Sequence, residues 1–131
     1  MAKAQYPVEI IMARGFTASL VTPAFLVDSD GTLIFYNEAA GDLLGVRWEE
    51  VGAMSPEEWG GRFSPTAPDG HALSLQELPL AIALEQGRPA HSDMRILGAD
   101  GVERDLEVSA LPIVGEGGQR GAMAIFWERP G

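Results

Sequence analysis

A short acidic motif near the start of the chain carries residue types that could transfer a phosphoryl group. In Phe25-Leu26-Val27-Asp28-Ser29-Asp30-Gly31-Thr32-Leu33, two aspartates stand two positions apart directly after an apolar segment. At the end of a strand, the first carboxylate could attack phosphorus while the second acts as the general acid and base. The rest of the sequence decides between this chemistry and a structural role for the motif.

The motif resembles the nucleophile motif of the haloacid-dehalogenase-type phosphatases. These enzymes also need a downstream lysine, which holds the phosphorylated intermediate, and an acidic pair that completes a magnesium site. The one lysine here, Lys3, lies upstream of the motif, and the chain is too short for the crossover units of a doubly wound parallel sheet. We therefore interpret Asp28-Ser29-Asp30-Gly31 as a hairpin turn, because aspartate bonds its own backbone and glycine accepts a positive φ.

Other catalytic and metal-binding chemistries find less support. The Asp-Ser-Asp-Gly segment lacks the spacing and the final glutamate of an EF-hand calcium loop. The two histidines, His71 and His91, have no histidine or carboxylate partner at metal-ligand spacing, so we predict no metal site and interpret both as surface or hydrogen-bonding residues. A serine–histidine–aspartate site stays open, although no Gly-x-Ser-x-Gly motif supports one. We predict no catalytic residue.

Composition and charge narrow the function classes further. The 131 residues fit one domain, and the lack of cysteine excludes disulfides, thiolate zinc sites and a cysteine nucleophile. The 19 acidic against 9 basic residues give a net charge of −10, which disfavours binding to nucleic acid or to an anionic membrane. The sequence has no signal peptide and no apolar run of membrane-spanning length, so we expect a cytoplasmic protein.

The elements that position these residues begin with a helix and a hairpin. Apolar residues at helical spacing predict an amphipathic helix over 7–20. Residues 25–27 and 32–36 are predicted strands on either side of the Asp-Ser-Asp-Gly turn. Asn37 directly follows the second strand and is the predicted N-cap of a short helix that ends at Gly45.

Several short helices are predicted in the middle of the chain. The first covers 48–51. Two capping boxes follow: the one at Ser55 begins a helix that carries Trp59, and the one at Ser74 begins a longer helix over 74–87. A proline early in this longer helix is expected to shift its start rather than break it.

Three strands are predicted in the last third of the chain, over 92–97, 103–114 and 121–127. The second alternates between polar and apolar residues, as a half-buried strand does. The third is apolar on both faces, which indicates a central strand that is covered on both sides. Helices grouped between strands, rather than alternating with them, indicate the α+β class.

The order of these elements and several sequence segments resemble the PAS sensor domains. The segment Pro23–Gly45 combines a strand, an Asp-x-x-Gly turn, a second strand, an asparagine, two alanines and Leu-Gly. Toward the end of the chain, Gly98-Ala99-Asp100-Gly101, the segment 106–113 and the final strand 121–127 also match the family pattern. The resemblance covers about residues 20–128.

The resemblance implies a PAS-like five-stranded antiparallel sheet with short helices on one face and an N-terminal helix. It divides the chain into that amphipathic helix, 1–21, and the PAS-like domain, 22–129. Many PAS domains hold a small ligand or cofactor between the helices and the sheet. Many also dimerise through an N-terminal helix that covers the other face of the sheet. We therefore expect a homodimeric sensor and not an enzyme.

The sequence departs from the family where cofactors and output are concerned. No cysteine is available for the flavin photo-adduct of light sensors or for the chromophore of photoactive yellow protein, which excludes a cysteinyl-flavin adduct. Haem-binding members use a histidine on the long central helix, and 74–87 has none, so haem is not expected. Glu128-Arg129-Pro130 replaces the usual Asp-Ile/Val-Thr ending before the chain stops, so we expect the output to act in trans on a signalling protein.

The resulting hypothesis is a stand-alone PAS-type sensory domain that binds a small ligand or a protein partner. Two alternatives stay open: a pure dimerisation or interaction module without a ligand, and, more remotely, a small enzyme with a cone-like α+β fold. A ligand-binding sensor predicts a cavity of roughly a few hundred Å³. A cone-like enzyme predicts a deep pocket that contains an acid of raised pKa.

Strand parity and helix spacing supply the candidate residues. The candidate pocket residues, which plain core packing would also explain, are Trp59, Phe63, Leu80, Leu84, Arg95, Leu106 and Val108. Arg95 either meets an acidic ligand or pairs with a strand neighbour, Asp105 or Glu107. The candidate dimer interface consists of Val8, Ile11, Met12, Phe16, Ile125 and Trp127. The alternative for the N-terminal helix is that it packs only on its own sheet.

Overall fold

Five antiparallel strands form the sheet in the computed structural model, which describes residues 6–129. The strands are β1 (Ala24–Asp28), β2 (Leu33–Tyr36), β3 (Ala90–Leu97), β4 (Glu103–Gly115) and β5 (Gly118–Glu128), and their spatial order is β2-β1-β5-β4-β3. β5 is thus the central strand, as its two apolar faces predicted. The expected α+β architecture with a five-stranded antiparallel sheet is confirmed.

The helices lie on both faces of this sheet. They are α1 (Val8–Ser19), α2 (Glu38–Leu44), α3 (Trp48–Val51), α4 (Pro56–Arg62) and α5 (Pro79–Gln86). Helices α2 to α5 pack around one face, here called the inner face, whereas α1 packs on the opposite, outer face. None of the helices within residues 6–129 is long and apolar enough to cross a membrane.

The start predicted at residue 74 for the longer helix is wrong, and Pro79 shifts the start, as expected of a proline early in the helix. The capping box at Ser74 begins only a 3-10 turn, Leu75–Glu77, and α5 then begins at Pro79. Leu78 between them is extended, with φ −78° and ψ 139°, since the residue before a proline is held out of the helical region. The break turns Leu78 into the core, where its side chain is 6% exposed.

The Asp-Ser-Asp-Gly segment forms the turn that was predicted between the first two strands. Asp28 Oδ1 accepts hydrogen bonds from the backbone N–H groups of Asp30, at 2.9 Å, and Thr32, at 3.1 Å. Gly31 has a φ of +83°, which a residue with a Cβ rarely adopts. The Asp28 carboxylate therefore holds its own loop in place.

Asn37 joins three elements at the edge of the sheet. As the N-cap of α2, its Oδ1 accepts from Ala40 N at 3.0 Å and also from Ala24 N at 3.2 Å. Its Nδ2 donates to the carbonyls of Thr17, at 3.1 Å, and Thr22, at 2.8 Å. One side chain that is 2% exposed thus links the end of α1 to β1 and to α2.

The outer core under α1 is small and tight. Ile10, Leu26 and Ile34 are its buried residues. Gly121 of β5 lies beneath them: a Cβ at this position would stand 2.8 Å from Ile10 Cδ1 and would also collide with the carbonyl of Val27. The glycine therefore lets α1 approach the sheet closely.

Candidate functional site

An apolar cavity of about 80 Å³ lies between the inner face of the sheet and the helices α4 and α5. Strands and helices both contribute to its wall. The side chains that line it are Phe25, Leu44, Trp59, Phe63, Pro65, Leu78, Pro79, Leu80, Met94, Ile96, Leu106, Val108, Ala124 and Phe126.

Most of the pocket residues proposed from the sequence meet at this cavity. Trp59, Phe63 and Leu80 approach it from the helical layer, and Leu106 and Val108 approach it from β4. The indole Nε1–H of Trp59 donates to the carbonyl of Gly31 at 2.7 Å. This bond satisfies the one polar atom of the ring, so Trp59 presents only apolar surface to the cavity.

Two of the proposed pocket residues do not line the cavity. Leu84 lies one turn after Leu80 on α5 and packs beside Gly31, at the edge of the main core. Arg95 lies on the outer face, where its guanidinium meets its cross-strand neighbour Asp105 in two contacts of 2.8 and 3.3 Å. Of the two roles considered for Arg95, the structure therefore has the pairing with a strand neighbour. The hydrogen bond from Arg95 lowers the pKa of the Asp105 carboxyl.

The sequence reasoning missed the strand residues that complete the wall. Met94 lies directly opposite Leu106, and Phe126 lies directly opposite Val108. Cross-strand partners share a face of the sheet. The alternation along β4 identified Leu106 and Val108, but their partners on β3 and β5 can be identified only when the register of the strands is known. Phe126 also meets Phe25 edge to face, with the ring centroids 5.1 Å apart.

The lining determines which ligands the cavity can take. No ionisable side chain belongs to it, and a charged or strongly polar ligand would lose its hydration without gaining a partner. The volume of about 80 Å³ is smaller than the expected few hundred Å³ and well below the roughly 300–1,000 Å³ of sites for drug-sized ligands. The residues present therefore fit a small apolar molecule and do not fit flavin or haem.

A larger and more polar cleft of about 220 Å³ lies near the end of α1. Several of its polar groups already have partners. Arg47 lies 3.5 Å from Asp42 and 3.8 Å from Glu38, and the Tyr36 hydroxyl donates to the carbonyl of Val46 at 2.5 Å. Burial raises the pKa of Tyr36 to about 12. The cleft therefore offers less to a ligand than its size indicates.

The sequence also matches a known family. Residues 17–129 fit the family model of the PAS fold. The chain belongs to the PAS family. No curated protein matches it by sequence. PAS domains are in general sensory modules without enzymatic activity, so the family supports the sensory part of the sequence-based hypothesis.

Solved PAS and LOV structures have the same fold. The PAS domain of Bordetella pertussis BvgS aligns with a TM-score of 0.63 at 16% identity, over 94% of this chain and 87% of that one. The Rhodobacter sphaeroides LOV protein aligns with 0.70 at 14%, over 95% and 69%. The light-state dimer of the fungal photoreceptor Vivid aligns with 0.65 at 14%, over 97% of each chain. At these identities the likeness shows the fold alone.

The outward side of α1 in this PAS domain is apolar. Val8, Ile11, Met12 and Phe16 are between 57% and 69% exposed, whereas Ile10 and Thr17 of the same helix are buried. The four residues repeat at helical spacing and form a continuous strip, here called the α1 stripe. The alternative that α1 serves only its own sheet leaves this stripe unexplained. The other two candidate interface residues lie on β5, Ile125 half-buried and Trp127 38% exposed.

Both histidines of the PAS domain are exposed and make polar contacts, which agrees with the surface or hydrogen-bonding role predicted for them, but spacing along the sequence did not reveal their carboxylate partners. His71 Nδ1 lies 2.6 Å from Asp69 and its Nε2 lies 3.3 Å from Glu77. These hydrogen bonds raise the pKa of His71. His91 Nε2 lies 3.5 Å from Glu107, across the β3–β4 pair. Neither histidine lines the apolar cavity.

Carboxyl groups of perturbed pKa are also found away from the cavity. The Arg104 guanidinium lowers the pKa of Asp100, and hydrogen bonds lower the pKa values of Asp69 and Glu77. All of these groups are exposed and partnered. The cone-like enzyme hypothesis requires an acidic side chain of raised pKa in the pocket, and no acidic side chain is among the residues that line the cavity.

Proposed function

We propose that this PAS domain is a non-enzymatic sensory module of the cytoplasm that takes a small apolar molecule into the cavity between the sheet and the helices α4 and α5. The observation that carries the proposal is the purely apolar lining of that cavity. Apolar cavities of about 150 Å³ stay dry and bind benzene or xenon, and this one, at about 80 Å³, takes nothing larger than the smaller of such molecules. The ligand class is therefore a neutral molecule of about the size of one aromatic ring.

The position of the cavity supports a sensory role for the ligand. Its wall combines Trp59 and Leu80 of the helices with Leu106 and Phe126 of the sheet. Protein interiors are closely packed and respond to added volume, so a ligand that fills the cavity favours one arrangement of helices on the sheet over another. The signal is then a change in the packing between these two layers.

Thermal unfolding of the full chain with benzene and toluene as probes tests ligand binding. At a probe concentration of about 100 times its Kd, the stabilisation is about 2.7 kcal/mol, which raises the midpoint of unfolding by several degrees. Native mass spectrometry of the purified protein checks for a molecule that is already bound. A missing shift with both probes, together with an empty mass spectrum, contradicts the proposal.

Two neighbouring alanines provide a matched pair of variants for this test. Ala124 lines the cavity, whereas Ala110 lies directly opposite it on β4 and does not line the cavity. Both are 2% exposed. We expect Ala124→Val to fill the cavity and abolish the probe-induced shift, and Ala110→Val to keep it. Circular dichroism establishes that both variants fold, and equal responses of the two contradict the proposed site.

A second part of the proposal concerns the partner of the α1 stripe. We propose that a second copy of this chain covers the stripe, together with Ile125 and Trp127, and that the dimer signals in trans to another protein. The exposure of Ile11, Met12 and Phe16 supports this proposal, because apolar strips of this kind mark interaction surfaces. Asn37, which ties α1 to β1 and α2, would couple the stripe to the rest of the domain.

Sedimentation of charge variants tests the dimer and separates the two functions. We expect Ile11→Glu and Phe16→Glu to convert the dimer to a monomer, while Val102→Glu, at a 47% exposed position in the β3–β4 turn, leaves it unchanged. A dimer that dissociates in these variants, in a protein that never binds the apolar probes, would favour a pure interaction module. A monomeric wild-type chain would contradict the dimer.

A further inference from the structure

Three side chains with metal-binding atoms meet on the outer face of the sheet. His91 and Asp93 are two positions apart on β3, so they project from the same face. Asp93 lies directly opposite Glu107 of β4. The pairing of the two strands thus places the carboxylate of Glu107, from a different strand, next to the imidazole of His91 and the carboxylate of Asp93.

The geometry of the three groups is convergent. One ligand atom of each of His91, Asp93 and Glu107 lies within 4.8 Å of the other two, and His91 Nε2 is 3.5 Å from Glu107 Oε1. Within the described part of the chain, residues 6–129, no other group of three histidine, aspartate or glutamate side chains meets this condition.

Neighbouring side chains orient two of the three groups from outside. His91 Nδ1 lies 3.0 Å from Ser109 Oγ, and the indole Nε1–H of Trp127 donates to Glu107 Oε2 at 3.1 Å. In the tautomer that donates Nδ1–H to Ser109, the lone pair of Nε2 points toward Glu107. Metal-bound histidines and carboxylates are held in this way by outer partners.

The local charge favours a cation. Asp93 and Glu107 are like charges directly opposite each other, an arrangement that destabilises a sheet. The nearest guanidinium, that of Arg129, is 3.6 Å from Asp93, and Arg95 is occupied by Asp105. Among the described residues, one half-exposed arginine is therefore at ion-pair distance from Asp93 and none is at that distance from Glu107, in a chain of net charge −10.

We propose that His91, Asp93 and Glu107 bind a divalent metal ion of the zinc class on the outer face of the sheet. One imidazole nitrogen and two carboxylate oxygens suit Zn²⁺, which takes nitrogen and oxygen ligands in a tetrahedral arrangement. Magnesium and calcium prefer oxygen ligands alone. Three protein ligands leave the fourth position to water or to a donor from another molecule.

His71 provides an internal control for the site. It also contacts two carboxylates, and it is as exposed as His91. However, Asp69 meets Nδ1 and Glu77 meets Nε2, so the two carboxylates lie at opposite ring nitrogens and do not converge on one point. A non-specific attraction of Zn²⁺ to exposed histidines and acids would involve both histidines equally, whereas the proposed site involves only His91.

Isothermal titration of the chelator-treated full chain with ZnCl₂ tests the proposal. We expect one Zn²⁺ per chain. His91→Ala should weaken binding by at least the roughly 10- to 100-fold that is typical of losing an outer partner of a ligand. Ser109→Ala should weaken it by about 10-fold, and His71→Ala should leave it unchanged. No Zn²⁺ binding, or equal losses in His91→Ala and His71→Ala, would overturn the proposal.

Nitrogen-15 spectra of the histidine side chains give a readout that does not depend on any variant. On addition of Zn²⁺ to the wild-type chain, we expect the resonance of His91 Nε2 to shift and Nδ1 to keep its proton, while both nitrogens of His71 stay unchanged. A shift of His71 alone, or of neither histidine, contradicts the site. Because this site lies outside the apolar cavity, its failure would leave the proposed function untouched.

Discussion

The inner face of the sheet is buried under four helices and a large apolar cluster, whereas the outer face has one helix and a cluster of three buried residues, one of them from the helix itself. The inner side chains are apolar throughout the cavity wall. The outer side chains of β3 and β4 are instead arranged in charged pairs such as Arg95 with Asp105. The same strands therefore present two chemically different surfaces.

This difference separates two tasks within one small domain. Burial of apolar area supplies most of the stability of a fold, so the inner face carries stability and can hold an apolar ligand. The outer face keeps exposed apolar residues on α1 and convergent polar groups on β3 and β4. It contributes less to stability and is available for contacts with other molecules or ions.

Two neighbours on β5 test this separation with the largest expected effect. Phe126 is 3% exposed on the inner face, and Trp127 is 38% exposed on the outer face. We expect Phe126→Ala to lower the free energy of unfolding by about 3–5 kcal/mol, because it removes a buried ring and enlarges the cavity. Trp127→Ala should cost less than about 1 kcal/mol. Urea unfolding followed by circular dichroism measures both, and similar losses would contradict the comparison.

Asn37 tests whether the two faces are tied together. Asn37→Ala leaves the N–H groups of Ala24 and Ala40 and the carbonyl of Thr22 without their partner. We expect a loss of about 3 kcal/mol, since buried polar groups without partners are costly. Ser55→Ala, which removes the more exposed N-cap of α4, should cost only about 1 kcal/mol. Equal losses in a urea titration would mean that Asn37 acts as an ordinary cap.

Two glycines test how closely α1 must approach the sheet. A Cβ at Gly121 meets Ile10 and the carbonyl of Val27, whereas a Cβ at Gly15 of α1 meets nothing within 4 Å. We expect Gly121→Ala to cost about 1–3 kcal/mol through overpacking. Gly15→Ala should stabilise the chain by about 0.5–1 kcal/mol, because glycine is unfavourable inside a helix. Thermal unfolding distinguishes the two, and a harmless Gly121→Ala would contradict the close contact.

The smallest expected effect concerns the exposed charges around His71. Asp69 and Glu77 raise the pKa of His71, so its stabilising contribution is complete below the unfolded value of 6.5 and is lost as the pH rises through the folded value. The lowered pKa values of Asp69 and Glu77 make their contribution present above their unfolded values and lost in acid. We expect His71→Gln to lower the urea midpoint more at about pH 5.5 than at about pH 8. A larger loss at the higher pH contradicts this sign.

Local signals in the sequence predicted most of the fold. The turn at Asp28 and the caps at Asn37 and Ser55 depend on a few neighbouring residues, and all three have the expected hydrogen bonds. The helix predicted over 74–87 begins only at Pro79 for an equally local reason, because the proline holds Leu78 in an extended conformation. The capping box at Ser74 was a correct start signal for a much shorter element.

The sites were predictable only in part, because they depend on strand register. Leu106 and Val108 were found from the alternation within β4, but Met94 and Phe126 come from partner strands. His91 meets Glu107 through the same β3–β4 pairing, which no spacing along one segment reveals.

Helical periodicity has a similar limit at α1. It groups Ile11 and Met12 on one side of the helix but does not say whether that side faces the sheet or points away from it. Ile10 packs on the sheet, whereas Ile11 and Met12 face away from it. The orientation of α1 follows from tertiary packing, in which Ile10 lies over Gly121 of β5.

The central place of β5 has a consequence for the order in which the domain folds. During synthesis, β1 and β2 can form their hairpin early, and β3 and β4 can do the same. β5 is the last of the five strands to leave the ribosome, yet it must enter between β1 and β4. Until then each hairpin has an open edge, and open edges promote aggregation. Pairing of such distant segments is slow. The nascent chain can therefore join its two hairpins into one sheet only after β5 has been synthesised.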